Sequence, residues 1–399
     1  MSEPFDFTTA AGRTAWIAEL LAPMDEAKFD ELARVLFAWQ FVRVPSFARL
    51  CAAHGVSPKN LGSWKDIPAM PQQVFKLEKL YARGLRKPEA IYETSGTTTG
   101  QPGRQFLAST DIYRAVALAN ASRPSCENLA HLHFLVPSPQ DAPRSSLSAM
   151  FGFWAEHFGE KRSSFWVNNN AIHFVALRAV LETQCRQGAP IGIAGTAFSF
   201  VHAIDAWADL PPLELPQGSW LLETGGFKGR SREVSKPELY AQLVRTFSVR
   251  DVDIYNEYGM SELSSQSYTH GVNSIHALPP WARVLAVDPA TGREVRVGQK
   301  GLVRWIDLAN VDSVMALQTL DLAERKHTGF ELMGRLPRTE PRGCSLSAED
   351  LVQASIPERS LSLEGRAPAR PRGLREKRDG PAGARPSNRT VAQRSTATS

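Results

Sequence analysis

The sequence predicts an α/β protein, on three observations. The first ninety residues carry helical apolar spacing, four short apolar runs between residues 131 and 255 are separated by helical patterns, and strand-like runs alternate with turns after Pro279-Pro280. Bulky and β-branched runs spaced by roughly 30 or more residues suit strands joined by helices in a largely parallel sheet. Tight alternation with turn residues suits an antiparallel meander.

Taken in order, Phe29, Leu32, Val35, Leu36 and Trp39 fall on one helical face. Pro45 is expected to stop that helix and Ser46 to cap the next, which ends near Gly55. The core strands are expected at 131–137, 191–195, 219–223 and 252–255, each bounded by Pro or Gly. Beyond Pro280, Arg283 to Val287, Glu294 to Val297 and Leu302 to Ile306 read as strands, separated by Asp288-Pro289-Ala290-Thr291-Gly292 and Gly298-Gln299-Lys300-Gly301. The predicted organisation is a helical part at 1–90, an α/β core at 91–278, a small antiparallel β subdomain at 279–335, a hinge and arm at 336–350 and a basic tail at 351–399.

Composition bounds the function classes. With 399 residues, 43% hydrophobic and 22% charged, the chain is an ordinary globular protein and not one disordered throughout. It has no run approaching the ~18 to 20 apolar residues of a membrane span and no secretory pattern at its start, so a cytoplasmic protein is expected. Cys51, Cys126, Cys185 and Cys344 form no C-x-x-C pair and are expected to be reduced, neither zinc ligands nor a disulfide framework. The net charge of +5 is local: residues 351–399 hold ten Lys or Arg against four acids, a tail of +6, which leaves −1 on the rest. That distribution argues against a nucleic-acid partner, and the tail's scarcity of large apolar residues predicts disorder.

Three loops carry the candidate chemistry. Thr94, Ser95, Gly96, Thr97, Thr98, Thr99 and Gly100 form a loop whose amides and hydroxyls can converge on a phosphate, although a Ser/Thr/Gly-rich turn reads the same way from composition. It is not a P-loop, since no Gly-Lys-Ser or Gly-Lys-Thr closes it. Leu222-Glu223-Thr224-Gly225-Gly226 and Tyr255-Asn256-Glu257-Tyr258-Gly259-Met260-Ser261-Glu262 each follow an expected strand, at the edge where an α/β sheet binds ligands.

Together these loops resemble the adenylate-forming enzymes, which activate carboxylates with ATP. The resemblance implies that residues 94–100 hold the phosphates, that Gly225-Gly226 lines the adenine, that Tyr258 of the Tyr258-Gly259-Met260-Ser261-Glu262 motif packs on it, that Ser261 contacts the α-phosphate and that Glu262 binds Mg²⁺. Asp321, in Thr319-Leu320-Asp321, matches the acid that binds the ribose, with leucine in place of glycine, and Gly334-Arg335 matches the hinge pair. The implied fold is the large N-terminal domain of that superfamily, with the mobile lysine-bearing domain missing after the hinge. The loop's usual lysine is absent as well, with Arg104 a candidate substitute.

Pro71-Gln72-Gln73-Val74-Phe75-Lys76, Gly195-Thr196-Ala197-Phe198, Asp307-Leu308-Ala309-Asn310 and Arg342-Gly343-Cys344 narrow the resemblance to the acyl-protein synthetases of bacterial bioluminescence fatty-acid reductases. This implies ATP and Mg as cofactors, a fatty acid activated to acyl-AMP, transfer to Cys344 and delivery to an acyl reductase partner. Arg335 joins Cys344 and Glu262 among the expected catalytic residues, and Arg338 and Arg342 are expected to favour the Cys344 thiolate. The alternatives are an AMP-forming acyl- or aryl-CoA ligase and a non-catalytic nucleotide-binding relative. The histidines read as structural, with His202 and His276 the two candidates for the acyl side.

Overall fold

The computed structural model describes residues 4–94, 101–121, 124, 126–169, 171–225, 234–271 and 275–335. The expected disordered tail, the arm with Cys344, and the loop residues Ser95 to Gly100 lie outside the described residues.

The helical start comprises α1 (Ala10–Leu21), α2 (Glu26–Arg43) and α3 (Pro45–Ala53). Side-chain oxygens satisfy the orphan amides of the first two: Thr9 accepts from the Gly12 N–H and Asp25 from the Lys28 N–H. Pro45 does not merely stop α2. Its fixed φ and missing N–H suit the first position of α3, so the helix begins there, and Ser46, expected as the cap, donates to the Glu78 carboxylate instead.

A short strand β1 (Met70–Pro71), the helical turn α4 (Val74–Leu77) and a hairpin of β2 (Ala90–Glu93) and β3 (Arg104–Leu107) follow. Next come α5 (Asp111–Ala121), β4 (His131–Pro137), α6 (Ser146–Phe158), β5 (Ser163–Asn168), β6 (Ala171–Ile172), α7 (Phe174–Gln187), β7 (Ile191–Thr196), α8 (Ala197–Ala206), β8 (Trp220–Thr224), α9 (Lys236–Phe247), β9 (Ile254–Tyr258) and β10 (Ser267–Tyr268). Among the described residues, seven of these strands form a sheet in the order β10-β9-β8-β7-β4-β5-β6. The inner five run parallel and both edges are antiparallel. Helices cover both faces: α7, α8 and α9 bring Leu181, Phe200 and Leu243 to one, and α5 and α6 bring Ala117, Phe151 and Trp154 to the other. Gly192 admits this packing, because a β-carbon there would stand 2.5 Å from Leu129 and 2.7 Å from Trp220.

A second sheet contains β11 (Ala282–Val287), β12 (Lys300–Asp307), β13 (Ala316–Arg325) and β14 (Phe330–Arg335). Its order is β1-β13-β12-β11, with β14 also on β13. Glu294 to Val297, expected as a strand, contributes a single bridge between Glu294 and Val287 before the chain turns at Gly298, whose N–H meets the Arg325 carbonyl at 2.8 Å. The N-terminal helices and this sheet share one hydrophobic core, with Trp16, Phe37 and Phe47 packed with Trp305, Met315 and Leu317.

Arg13 pins α1 into that core. Its guanidinium meets Asp312 at 2.6 Å and Asp111 at 2.7 Å, and the Arg13 and Asp312 side chains are almost fully buried. Removing one partner leaves a desolvated charge uncompensated, so Arg13→Met is expected to lower unfolding free energy by about 3–5 kcal/mol in urea denaturation. No helix among the described residues is long and apolar enough to cross a membrane.

Candidate functional site

The site lies where the ends of β8 and β9, the base of the β2–β3 hairpin and the β13–β14 edge come together. The hairpin closes on two residues: the Gly103 N–H donates to Thr94 Oγ1 at 2.8 Å, and the Thr94 N–H donates to the Gly103 carbonyl at 2.9 Å. This locates both ends of the hydroxyl loop although Ser95 to Gly100 are not described. Glu262, only 1% exposed, brings Oε1 to 3.3 Å from where a β-carbon on Gly103 would stand. Its carboxyl therefore sits at the mouth of the loop.

Glu262 is held there by a motif more than 40 residues away. Asn310 Nδ2 donates to the Glu262 carbonyl at 2.9 Å, and Gln105 Nε2 donates to Asn310 Oδ1 at 2.8 Å. Asp307 accepts from the N–H groups of Ser264 and Ser265, each at 2.9 Å, and from Ser265 Oγ at 2.6 Å. The Asp307-Leu308-Ala309-Asn310 segment thus shapes the turn that carries Glu262. Ser261 Oγ donates to the Glu93 carbonyl at 3.2 Å and lies 3.5 Å from Ser146 Oγ, which ties the turn to β2 and to the start of α6.

At the other end of this strip Tyr258 donates its hydroxyl to Asp321 Oδ2 at 2.8 Å. Its ring is walled by His276, Trp305 and Phe330, with centroids 5.9, 5.9 and 6.0 Å away. Burial, and then the Asp321 charge, push the phenol well above its ordinary range. Arg335 faces Asp321 across β13 and β14, with Nε 3.7 Å from Oδ1, and donates through Nη2 to Gln72 Oε1 at 3.0 Å. Gln72 comes from the Pro71-to-Lys76 segment, which β1 delivers to β13.

Gly225 follows β8 in a left-handed conformation, φ 75°, that glycine adopts without strain; Gly226 lies outside the described residues. Behind Gly225, Glu223 accepts from Asn256 Nδ2 at 2.6 Å and from the Tyr240 hydroxyl at 3.1 Å, and Lys236 donates to Asn256 Oδ1 at 3.2 Å. Burial pushes the Glu223 carboxyl up to about 7 and the Lys236 ammonium down. Sequence reasoning named neither this network nor Ser146. The signal for the network was an acid and an amide at matching depth in two adjacent strands.

Arg104, the candidate lysine substitute, is exposed and paired with Glu93 at 3.0 Å. His276 lies in the Tyr258 wall, stacked on Phe330 and shifted by burial down to about 3, whereas His202 packs on Phe198 of its own helix. His133 is fully engaged by Gln184 at 2.7 Å and Trp166 at 2.9 Å.

The sequence pattern of the acyl-protein synthetases, LuxE, matches residues 32–352. The long-chain-fatty-acid–luciferin-component ligase of Aliivibrio fischeri is 23% identical over 343 residues, which cover 82% of this chain and 89% of the relative. That of Vibrio harveyi is 22% identical over 342 residues, covering 82% and 88%. The crystal structure of 2-hydroxyisobutyryl-CoA ligase, in an open conformation with 2-HIB-AMP and CoA, superposes with a TM-score of 0.58 at 17% identity, covering 80% of this chain and 78% of that one. The α/β architecture is that of the adenylate-forming ligases.

Proposed function

Because the chain belongs to the LuxE acyl-protein synthetase family, we propose that it uses ATP to activate a fatty acid as its acyl adenylate and then carries the acyl group as a thioester on Cys344. The observation that supports this reading most directly is the continuity of one strip from the hydroxyl loop to the β13 edge: Glu262 beside Gly103 at one end and Tyr258 bonded to Asp321 at the other. The fatty acid is inferred from the names of the Aliivibrio and Vibrio relatives.

In the first step a carboxylate oxygen attacks the α-phosphorus, the bond to the bridging oxygen breaks and pyrophosphate leaves. Catalysis here is positioning and charge stabilisation. Tyr258 and Gly225-Gly226 hold the adenine, Asp321 accepts from the ribose hydroxyls, the loop from Thr94 to Gly100 donates to the phosphates and Ser261 contacts the α-phosphate. Asp321 retains acceptor capacity for this, since a carboxylate has about four lone-pair sites and Tyr258 uses one.

The donor set fits Mg²⁺. Among the described residues no group of three or more His, Cys, Asp or Glu could hold a metal by itself. One buried carboxylate next to a phosphate loop is the arrangement in which protein and substrate phosphates hold Mg²⁺ jointly. Glu262 would hold it, and the bound ion supplies neutralising charge for the leaving pyrophosphate.

In the second step the Cys344 thiolate attacks the acyl carbonyl, the bond to the phosphate oxygen breaks and AMP leaves. A nucleophile of a partner acyl reductase then attacks the thioester carbonyl, the bond to the Cys344 sulfur breaks and the acyl group passes to the partner while the thiolate is restored.

The test is ATP–pyrophosphate exchange by the purified chain with acids of graded length, together with intact mass after incubation. Acid-dependent exchange with a hydroxylamine-labile acyl adduct is expected. Exchange without an adduct, accompanied by acyl-CoA when CoA is added, would make the chain an acid–thiol ligase. ATP binding without exchange for any acid would make it a non-catalytic relative.

A further inference from the structure

β8 and β9 lie side by side with Glu223 opposite Asn256 and Thr224 opposite Glu257. Side chains alternate faces along a strand, so the pair Thr224 and Glu257 lies on the face opposite the Glu223 network. There the Thr224 hydroxyl donates to Glu257 Oε2, and both residues are buried, at 7% and 5% exposure. The other carboxyl oxygen, Oε1, lies 2.4 Å from where a β-carbon on Gly259 would stand, with Gln266 Cγ at 3.2 Å from the same point. The carboxyl therefore fills the space that glycine leaves open at 259. The parallel ladder of β8 and β9 ends at this pair, and the next residue of one strand is Gly225 while Gly259 follows one residue later in the other.

Burying a carboxyl costs free energy that an apolar pair at this position would not incur. The return is directional: a hydrogen bond between two side chains sets a distance that apolar packing leaves loose. We propose that Glu257 is a positioning residue of the nucleotide site, tying the end of β8 to the end of β9 through Thr224 so that the loops beginning at Gly225 and Tyr258-Gly259 keep one spacing. This rests on the reading that both loops hold ATP. Burial pushes the Glu257 carboxyl up to about 7, with Thr224 opposing and the Glu223 charge adding to the rise, so a neutral glutamine is a fair replacement.

The experiment compares Glu257→Ala, Glu257→Gln, Thr224→Val and Thr224→Ser in acid-dependent pyrophosphate exchange, and in hydrogen–deuterium exchange of peptides spanning 220–225 and 254–260 without nucleotide. Glu257→Ala and Thr224→Val are expected to raise KM for ATP about tenfold, the scale of one lost buried hydrogen bond, with kcat changed less than threefold. Glu257→Gln and Thr224→Ser are expected to stay within about threefold of the unsubstituted chain, because each keeps the bond. Amide exchange is expected to quicken only at the two strand ends. An unchanged KM for ATP, a fall in kcat alone, a change confined to the acid's KM, or a glutamine variant as damaged as alanine would each overturn the proposal. If Glu257→Ala does not fold, Thr224→Val decides on the same readings. If the unsubstituted chain exchanges no pyrophosphate, the functional reading fails, and the amide-exchange arm alone decides the tie: faster exchange at both strand ends supports it and unchanged exchange refutes it.

Discussion

Cys344→Ser is expected to leave acid-dependent pyrophosphate exchange within about twofold of the unsubstituted chain while abolishing the hydroxylamine-labile acyl adduct, because the thiolate is the nucleophile and a serine hydroxyl has no comparable ionised form. The other three cysteines are poor substitutes. Cys51 and Cys126 are buried, burial pushes the Cys51 thiol up to about 12, and burial also raises Cys185. A thiol held protonated inside a core neither reaches a carbonyl nor attacks it. Cys344 stands between Gly343 and Ser345, with Arg338 and Arg342 close in sequence, the two arginines expected from the sequence to favour its thiolate. Intact mass before and after hydroxylamine, with peptide mapping, reads the result. An adduct that persists in Cys344→Ser assigns the acyl group to another residue.

Glu262→Gln is expected to reduce acid-dependent pyrophosphate exchange by about 10²–10³-fold, the cost typical of removing one preorganised electrostatic stabiliser. Glutamine keeps the size of the side chain, and the contacts described for the turn, Asn310 to the backbone carbonyl of residue 262 and Asp307 to Ser264 and Ser265, do not use the Glu262 carboxyl. The fold should therefore be preserved while the negative charge at the hairpin mouth is lost. Two readings separate charge from shape: exchange against Mg²⁺ concentration, where the variant should need more ion, and thermal unfolding, which should move little. A variant with normal Mg²⁺ dependence would remove Glu262 from the metal.

The strand expectations at 131–137, 191–195 and 219–223 correspond to β4, β7 and β8, and that at 252–255 meets β9 only at Ile254 and Tyr255, all in the parallel interior, where burial on both faces favours apolar runs. β5 was not legible in the same way. It lies near the sheet edge with half-buried side chains, so Ser163 and Ser164 stand where an inner strand would carry apolar residues. β13 hid for another reason: Ala316-Leu317-Gln318-Thr319-Leu320-Asp321 mixes helix formers with polar residues, and its state is set by pairing with β12 and β14. In the candidate site, Tyr258, Ser261, Glu262, Asp321 and Arg335 were legible because their order along the chain carries the resemblance. The Thr224–Glu257 tie and the Asn310 support of Glu262 were not, since each joins residues that only folding brings within bonding distance.

By itself the sequence determined the α/β class, the parallel interior and the identities of the residues in the loops, because burial imposes a periodic apolar pattern and loop chemistry demands particular side chains. Only the tertiary structure decided which residues meet. It placed Tyr258 on Asp321, 63 positions apart, set Arg335 against Gln72, and brought the N-terminal helices and the second sheet into one core. Hydrogen bonds and packing act over a few ångströms, whereas chain order constrains separation only through the folds that the whole chain can adopt.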